Sequence, residues 1–115
     1  MHYFNLHIGD YRSHTARHTN GQDLAYFRLL LHYYDTEREL PLDVETIARR
    51  IACPVDDVRV VLTDFFHETE TGWYSKRCEE EIAEYQLRSA SAKKAAGRRW
   101  AKPKMRIVQN SDENF

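Results

Sequence analysis

Two prolines, Pro41 and Pro54, set how the middle of this 115-residue chain can be organised. Proline lacks a backbone N–H and pushes the residue before it out of the helical region, so a helix is expected to stop at each. After each proline lies a short apolar pattern of helical period. Val44, Ile47, Ala48 and Ile51 form one stripe, with Asp43 placed to cap it. Val58, Val61, Leu62, Phe65 and Phe66 form the other, in a helix opened by Asp56 or Asp57. Two short amphipathic helices joined by the tight Ala52-Cys53-Pro54 link make a helix-turn-helix unit. Glu70-Thr71-Gly72 then gives a tight reversal, with glycine free to take positive φ, between β-favouring residues. A hairpin after a helix-turn-helix is the order of a winged helix, and the extended Leu40-Pro41-Leu42 supplies a third short strand. An isolated hairpin is marginal in water, so Trp73 and the Phe65-Phe66 pair are expected to hold it on the helices.

Upstream, residues 3–8 read as a short extended segment with Gly9-Asp10 as its turn, followed by a loop over residues 11–19. Asn20 is an N-cap candidate, with Asp23 in the first turn. Leu24, Phe27, Leu30, Leu31 and Tyr34 then mark one buried face of a central helix over residues 21–36, widened by Ala25, Tyr26 and Leu29. Downstream, a long helix is expected over residues 78–99. Its stripe runs through Cys78, Ile82, Tyr85, Ser89, Ala92, Ala96 and Trp100. Glu79, Glu80 and Glu81 near its start and Lys93, Lys94, Arg98 and Arg99 near its end complement the helix macrodipole. Lys102-Pro103-Lys104 breaks that helix, and residues 109–115 should be frayed. The expected fold is mainly α with a small β-hairpin. A winged helix-turn-helix-like domain covers residues 1–86, and a basic helical extension with a frayed tail covers residues 87–115.

The formal net charge of −1 conceals a strong segregation. Residues 1–86 carry 9 basic and 16 acidic side chains, a net of −7, whereas residues 87–115 carry 8 basic and 2 acidic ones, a net of +6. Such asymmetry points to a polyanion partner for the basic half. The second helix of the helix-turn-helix exposes Asp56, Asp57, Arg59, Thr63 and Asp64, a net of −2. Major-groove docking depends on phosphate neutralisation, so this face works against it, offset in part by Arg49 and Arg50. The extension is the better nucleic-acid contact: Lys93, Lys94, Arg98, Arg99, Lys102 and Lys104 for phosphate, and Trp100 for stacking on an unpaired base. Lys76 and Arg77 would support them from the base of the wing.

Nothing in the chain reads as a catalytic motif. It has no Gly-rich phosphate loop, H-E-x-x-H or G-x-S-x-G. Adjacent glutamates at 79–81 would point to different helix faces, and Cys78 falls on the buried stripe as an inert thiol. His14 and His18 are four residues apart, with His7 nearby, but the stretch reads as a loop and neither Cys53 nor Cys78 completes a tetrahedral set. A non-enzyme without metal or cofactor is expected. No apolar run is long enough to span a bilayer, and Met1 to His7 lacks the pattern of a signal peptide. Two cysteines without C-x-x-C spacing suit a reducing, cytoplasmic setting.

Several stretches together resemble the YdaU-like domain of unknown function found in phage and prophage proteins, often beside or within replication-initiation proteins. They are His7-Ile8-Gly9-Asp10-Tyr11, Thr15-Ala16, residues 23–30 (DLAYFRLL), Leu40-Pro41, and residues 73–81 (WYSKRCEEE), spread over most of residues 3–100. The resemblance implies a winged-helix-like accessory of phage replication or regulation in the bacterial cytoplasm, and brings no catalytic residues. With the charge pattern, it leads to the expectation of a non-catalytic DNA-associated protein whose body docks protein and whose basic end contacts nucleic acid. A rival expectation is a small phage inhibitor of a host nucleic-acid-handling or defence complex, anti-CRISPR-like, whose acidic body imitates DNA. A third is self-association through the C-terminal helix.

Overall fold

Helix begins earlier than the sequence pattern indicates. The computed structural model describes the backbone of residues 1–101 and the side chains of residues 1–97. Its first element, α1, spans Ile8–Thr15, where the pattern predicts an extended segment and a loop. The Tyr11 N–H donates to the His7 carbonyl at 2.9 Å, and the Thr15 hydroxyl donates back to the Tyr11 carbonyl at 2.8 Å. No residue of α1 is fully buried, so no apolar stripe announces it. Tertiary contacts stabilise it instead, as is usual for so short a helix. The Tyr11 ring stacks on Tyr26 at 5.7 Å and its hydroxyl donates to Asp23, while His14 stacks on Phe65 at 4.7 Å.

α2, Asn20–Thr36, is the central helix. Its N-cap is Thr19, one residue before the expected Asn20. Thr19 accepts from the Gln22 amide at 3.2 Å, and the Gln22 side chain accepts from the Thr19 amide at 3.1 Å. This is a capping box, which needs the glutamine three residues on. The buried face is Ala25, Tyr26, Leu29, Tyr33 and Tyr34. Of the expected stripe only Tyr34 is fully buried; Leu24 and Leu31 are 45% and 42% exposed. Apolar residues occur all round α2, so period alone does not select the face. The tyrosines can go inward because their hydroxyls find partners.

The helix-turn-helix follows expectation closely. α3 spans Val44–Ile51 and α4 spans Val55–Phe65, joined by Ala52 in the left-handed region (φ 57°), Cys53 and Pro54. Ile47, Ala48, Ile51, Val58, Val61 and Leu62 are buried. Asp43 occupies the N-cap of α3, but its carboxylate takes the Thr46 hydroxyl at 2.6 Å and no backbone amide. α4 starts at Val55 on Pro54, just ahead of Asp56.

The wing is minimal: β1, His67–Glu68, pairs antiparallel with β2, Trp73–Tyr74. Leu40 adds a single bridge to Trp73, with N–H···O=C bonds of 3.0 and 2.8 Å in both directions. Trp73 and Phe66 are buried and Phe65 is partly so, which seats the hairpin on the helices. Gly72 does not take positive φ, contrary to expectation. It is required for a different reason: a Cβ there would run into the Leu40 carbonyl oxygen. Ser75, whose Oγ accepts the Cys78 amide at 3.1 Å, leads into α5, Lys76–Ala101. Cys78 and Ile82 of α5 join the core.

The chain divides into two compact units, residues 1–82 and 83–115. In the first, Gly72→Ala should break both Leu40–Trp73 bonds and lower stability by about 2 kcal/mol or more in urea denaturation. Gly9, in α1 with open space around the position a Cβ would take, gives the contrasting case. Gly9→Ala should be neutral or stabilising by up to about 1 kcal/mol.

Candidate nucleic-acid interface

In the second unit the described cationic residues, Arg88, Lys93, Lys94, Arg98 and Arg99, sit on α5. Lys93 and Lys94 are exposed. Residues three and four positions away on a helix are the ones a side chain can reach, and for these two lysines none is acidic. Arg88, by contrast, pairs with Glu84 at 3.0 Å, an exposed contact four residues apart. Arg98, Arg99 and Trp100 continue the helical backbone, with Arg98 one turn on from Lys94. The expected side-chain contacts of Arg98, Arg99 and Trp100, and the whole of Lys102 and Lys104, lie outside the described residues. Beyond Ile82 the expected apolar stripe is weak: Tyr85, Ser89 and Ala96 are half-buried and Ala92 is exposed.

Lys76 and Arg77 fall in the first unit, whereas the other expected phosphate contacts fall in residues 83–115. Lys76 is exposed. Arg77 forms an ion pair with Asp10 of α1. That guanidinium, through its hydrogen bond and its charge, holds the Asp10 carboxyl below the usual range. Arg77 therefore ties α1 to the start of α5, a role that the sequence alone does not show.

The helix-turn-helix also looks different in three dimensions. Asp57 is half-buried against Gly21, where any Cβ would meet its carboxylate. Gly21 lies in the first turn of α2, so this carboxylate sits at the positive end of the α2 macrodipole. Asp64 lies 3.8 Å from His18 Nε2. Two of the three acids of α4 thus face the start of α2 and the residues before it. Asp56, Arg59 and the half-exposed Asp64 remain as its outward charges, so the net −2 of the linear reading overstates that face by the one carboxylate of Asp57.

The histidines of the α1 region are part of an aromatic cluster. His14 Nδ1 lies 3.0 Å from the Tyr26 hydroxyl, and His18 packs edge-on to Phe65 at 5.3 Å. Among the described residues, no three His, Cys, Asp or Glu side chains converge as a metal would require, and no helix is long and apolar enough to cross a membrane. Cys53 and Cys78 are buried free thiols, and burial pushes the Cys78 thiol above its ordinary value.

The fold is thus a small helical domain with a helix-turn-helix, a two-stranded wing and a C-terminal helix. The chain belongs to the family described as "Protein of unknown function (DUF1376)", whose sequence profile matches residues 2–83. That match ends one residue beyond the first compact unit. No curated protein matches the chain. No solved structure matches it either.

Burial of the tyrosines predicts a pH response. Burial, then the hydrogen bond to Asp23, pushes Tyr11 up to about 12; burial likewise pushes Tyr26 up to about 12, and Tyr33 and Tyr34 higher. Unfolded tyrosines titrate near 10, so the unfolded chain releases these protons first. The stabilisation is complete below about pH 10 and is lost as pH rises through the folded values. Urea midpoints should fall steadily from about pH 10 to 12, and absorbance at 295 nm should show four of the seven tyrosines ionising late or with unfolding. One uniform titration near pH 10 with an unchanged midpoint would contradict the burial.

Proposed function

We propose that the protein is a non-catalytic, DNA-associated accessory of phage or prophage replication or regulation, in which the basic extension contacts nucleic-acid phosphates. The observation that carries this reading is the run of eight cations from Arg88 to Arg106 without an intervening acid. A solvated structural helix ordinarily intersperses acids for i,i+4 support, as Glu84 and Arg88 do just upstream. Lys93 and Lys94 have no such neighbour and are exposed. Phosphate neutralisation is the term that dominates DNA affinity, and it asks for this arrangement. The winged-helix order, and the resemblance of stretches such as residues 73–81 to the YdaU-like phage domain, support the DNA-associated setting. The body, with its acidic surface, is assigned to protein docking.

The acid excess of residues 1–86 favours a second reading, an inhibitor of a host nucleic-acid-handling or defence complex that occupies a basic channel. In that case one host protein should be retained stoichiometrically after nuclease treatment, and the extension should be dispensable.

Reversing Lys93, Lys94, Arg98 and Arg99 to glutamate should abolish DNA binding in electrophoretic shift titrations. For the unaltered chain, log affinity against log salt should have a slope of roughly −5 if about six phosphate contacts form on duplex DNA. Unchanged affinity in the fourfold variant refutes the reading.

A further inference from the structure

The first unit carries a positively charged cleft in an otherwise acidic body. Residues 1–4 are pinned along α2: the Met1 amino group bonds Glu37 at 2.9 Å, and the Phe4 ring stacks on Tyr34 at 4.4 Å. Between this segment, α2 and the end of α3 lies a cleft of about 770 Å³. That is within the size range of small-molecule sites. Arg28 and Arg50 both line it, whereas Asp35 is its one carboxylate. The cleft is therefore net positive in a unit that carries 9 basic and 15 acidic residues.

The two arginines differ in their engagement. Arg28 Nη1 donates to the Ile51 and Ala52 carbonyls at 2.8 and 3.0 Å, which caps α3 and fixes that guanidinium in the cleft wall. Arg50 is exposed in the last turn of α3, and it makes no ion pair among the described residues. It faces His32 of α2. Burial and then the Arg50 charge hold the His32 imidazole below its ordinary value, with Asp35 acting in the opposite direction. Two groups that repel when both are charged, lining one cleft, form a site that an anion would relieve. Beside them Tyr3 and Leu31, 58% and 42% exposed, offer an aromatic and an aliphatic surface in the same cleft.

We propose that this cleft binds a nucleotide phosphate, with Arg50 and His32 as the oxyanion contacts and Tyr3 and Leu31 as the surface for the base and sugar. A guanidinium matches phosphate bidentately, and an aromatic face suits a base. A free nucleotide and a single strand present the same phosphate chemistry. The site does not rest on the basic extension.

The test uses the full chain carrying the fourfold charge reversal of the extension, which takes residues 87–115 from a net of +6 to −2 and suppresses their contribution, while the His32 signal and the Arg50 variants locate the binding in the first unit. Thymidine monophosphate, inorganic phosphate and a decathymidylate are titrated while the His32 ring resonances are followed by NMR. The monophosphate should shift His32 saturably, and Arg50→Gln should weaken binding about tenfold, as for loss of one charge-assisted hydrogen bond. Arg50→Lys should lose less, which separates charge from folding. For the decathymidylate, whose diester phosphates do not titrate in this range, affinity should rise as pH falls through the His32 titration, because a bound anion favours the imidazolium against Arg50, Arg28, His2 and the Met1 amino group in the same lining, with Asp35 the only acid there and Glu37 held by Met1. Tighter binding of the decathymidylate assigns the phosphate to a strand, and equal binding assigns it to a free nucleotide; both support the site. Equal affinity for inorganic phosphate overturns the nucleotide assignment. No His32 shift with any probe, or an Arg50→Gln variant of unchanged affinity, overturns the site itself.

Discussion

One hydroxyl group holds the architecture together. Tyr33 is fully buried in α2; its Oη donates to the Glu79 carboxylate at 2.6 Å and accepts the Ser75 amide at 3.2 Å. Ser75 in turn accepts the Cys78 amide, so the start of α5 is positioned against α2 through a chain of two hydroxyls. Ser75 follows β2 directly, which means that the same link places the exit of the wing. A buried amide left without an acceptor costs on the order of 1–3 kcal/mol, which makes Tyr33 more than a filler of the core. The carboxylate partner also explains one of the three adjacent glutamates at 79–81. Another, Glu81, meets His7 at 2.9 Å.

The parts of the fold that are legible in the sequence are those with a single apolar stripe and a hard stop. α3 and α4 each have the stripe, through Ile47, Ala48 and Ile51 in one and Val58, Val61 and Leu62 in the other, and Pro54 stops the first helix and starts the second. α1 has neither. Its helicity comes from Tyr11 and His14 meeting Tyr26 and Phe65, contacts that do not exist until α2 and α4 have packed. α2 has too many apolar residues, so Leu24 and Leu31 compete with Tyr33 for the core and the pattern does not decide. What decides is the hydrogen bonding available to the tyrosine hydroxyls, and Glu79 and Ser75 are more than forty positions away. Gly72 reads as necessary from the sequence, but the reason lies in the Leu40 carbonyl across the bridge and not in its own backbone angle.

Charge is legible in sum and illegible in pairing. The acidic body and basic extension follow from counting. That Arg77 pairs with Asp10, that Asp57 lies at the start of α2, and that Asp64 approaches His18 are consequences of folding; the first sets two opposite charges against each other and the second half-buries one. The cleft escapes a linear reading for a related reason. In sequence Arg50 is only an offset to the acidic helix-turn-helix, and nothing marks His32 by itself. The available signal is on α2, where Arg28, His32 and Asp35 recur at four- and three-residue spacing and mark a polar stripe beside the buried one.

The family match and the compact unit nearly coincide, so the cleft lies in the matched domain while the whole cationic run lies outside it. The two proposed phosphate contacts consequently differ in kind. As proposed, the extension would work by many screened, sequence-independent charges, and its affinity should collapse steeply with salt. As proposed, the cleft would work through about one phosphate held between a guanidinium and an imidazole, with apolar surface beside it, and should lose only about one power of affinity per decade of salt. An acidic body is no obstacle to the second mode, because a local net positive site needs only short-range complementarity, and a Debye length of about 8 Å at physiological salt confines the surrounding repulsion. Ionic strength therefore separates the two contacts within one chain: what survives at high salt belongs to the cleft, and what disappears belongs to the extension.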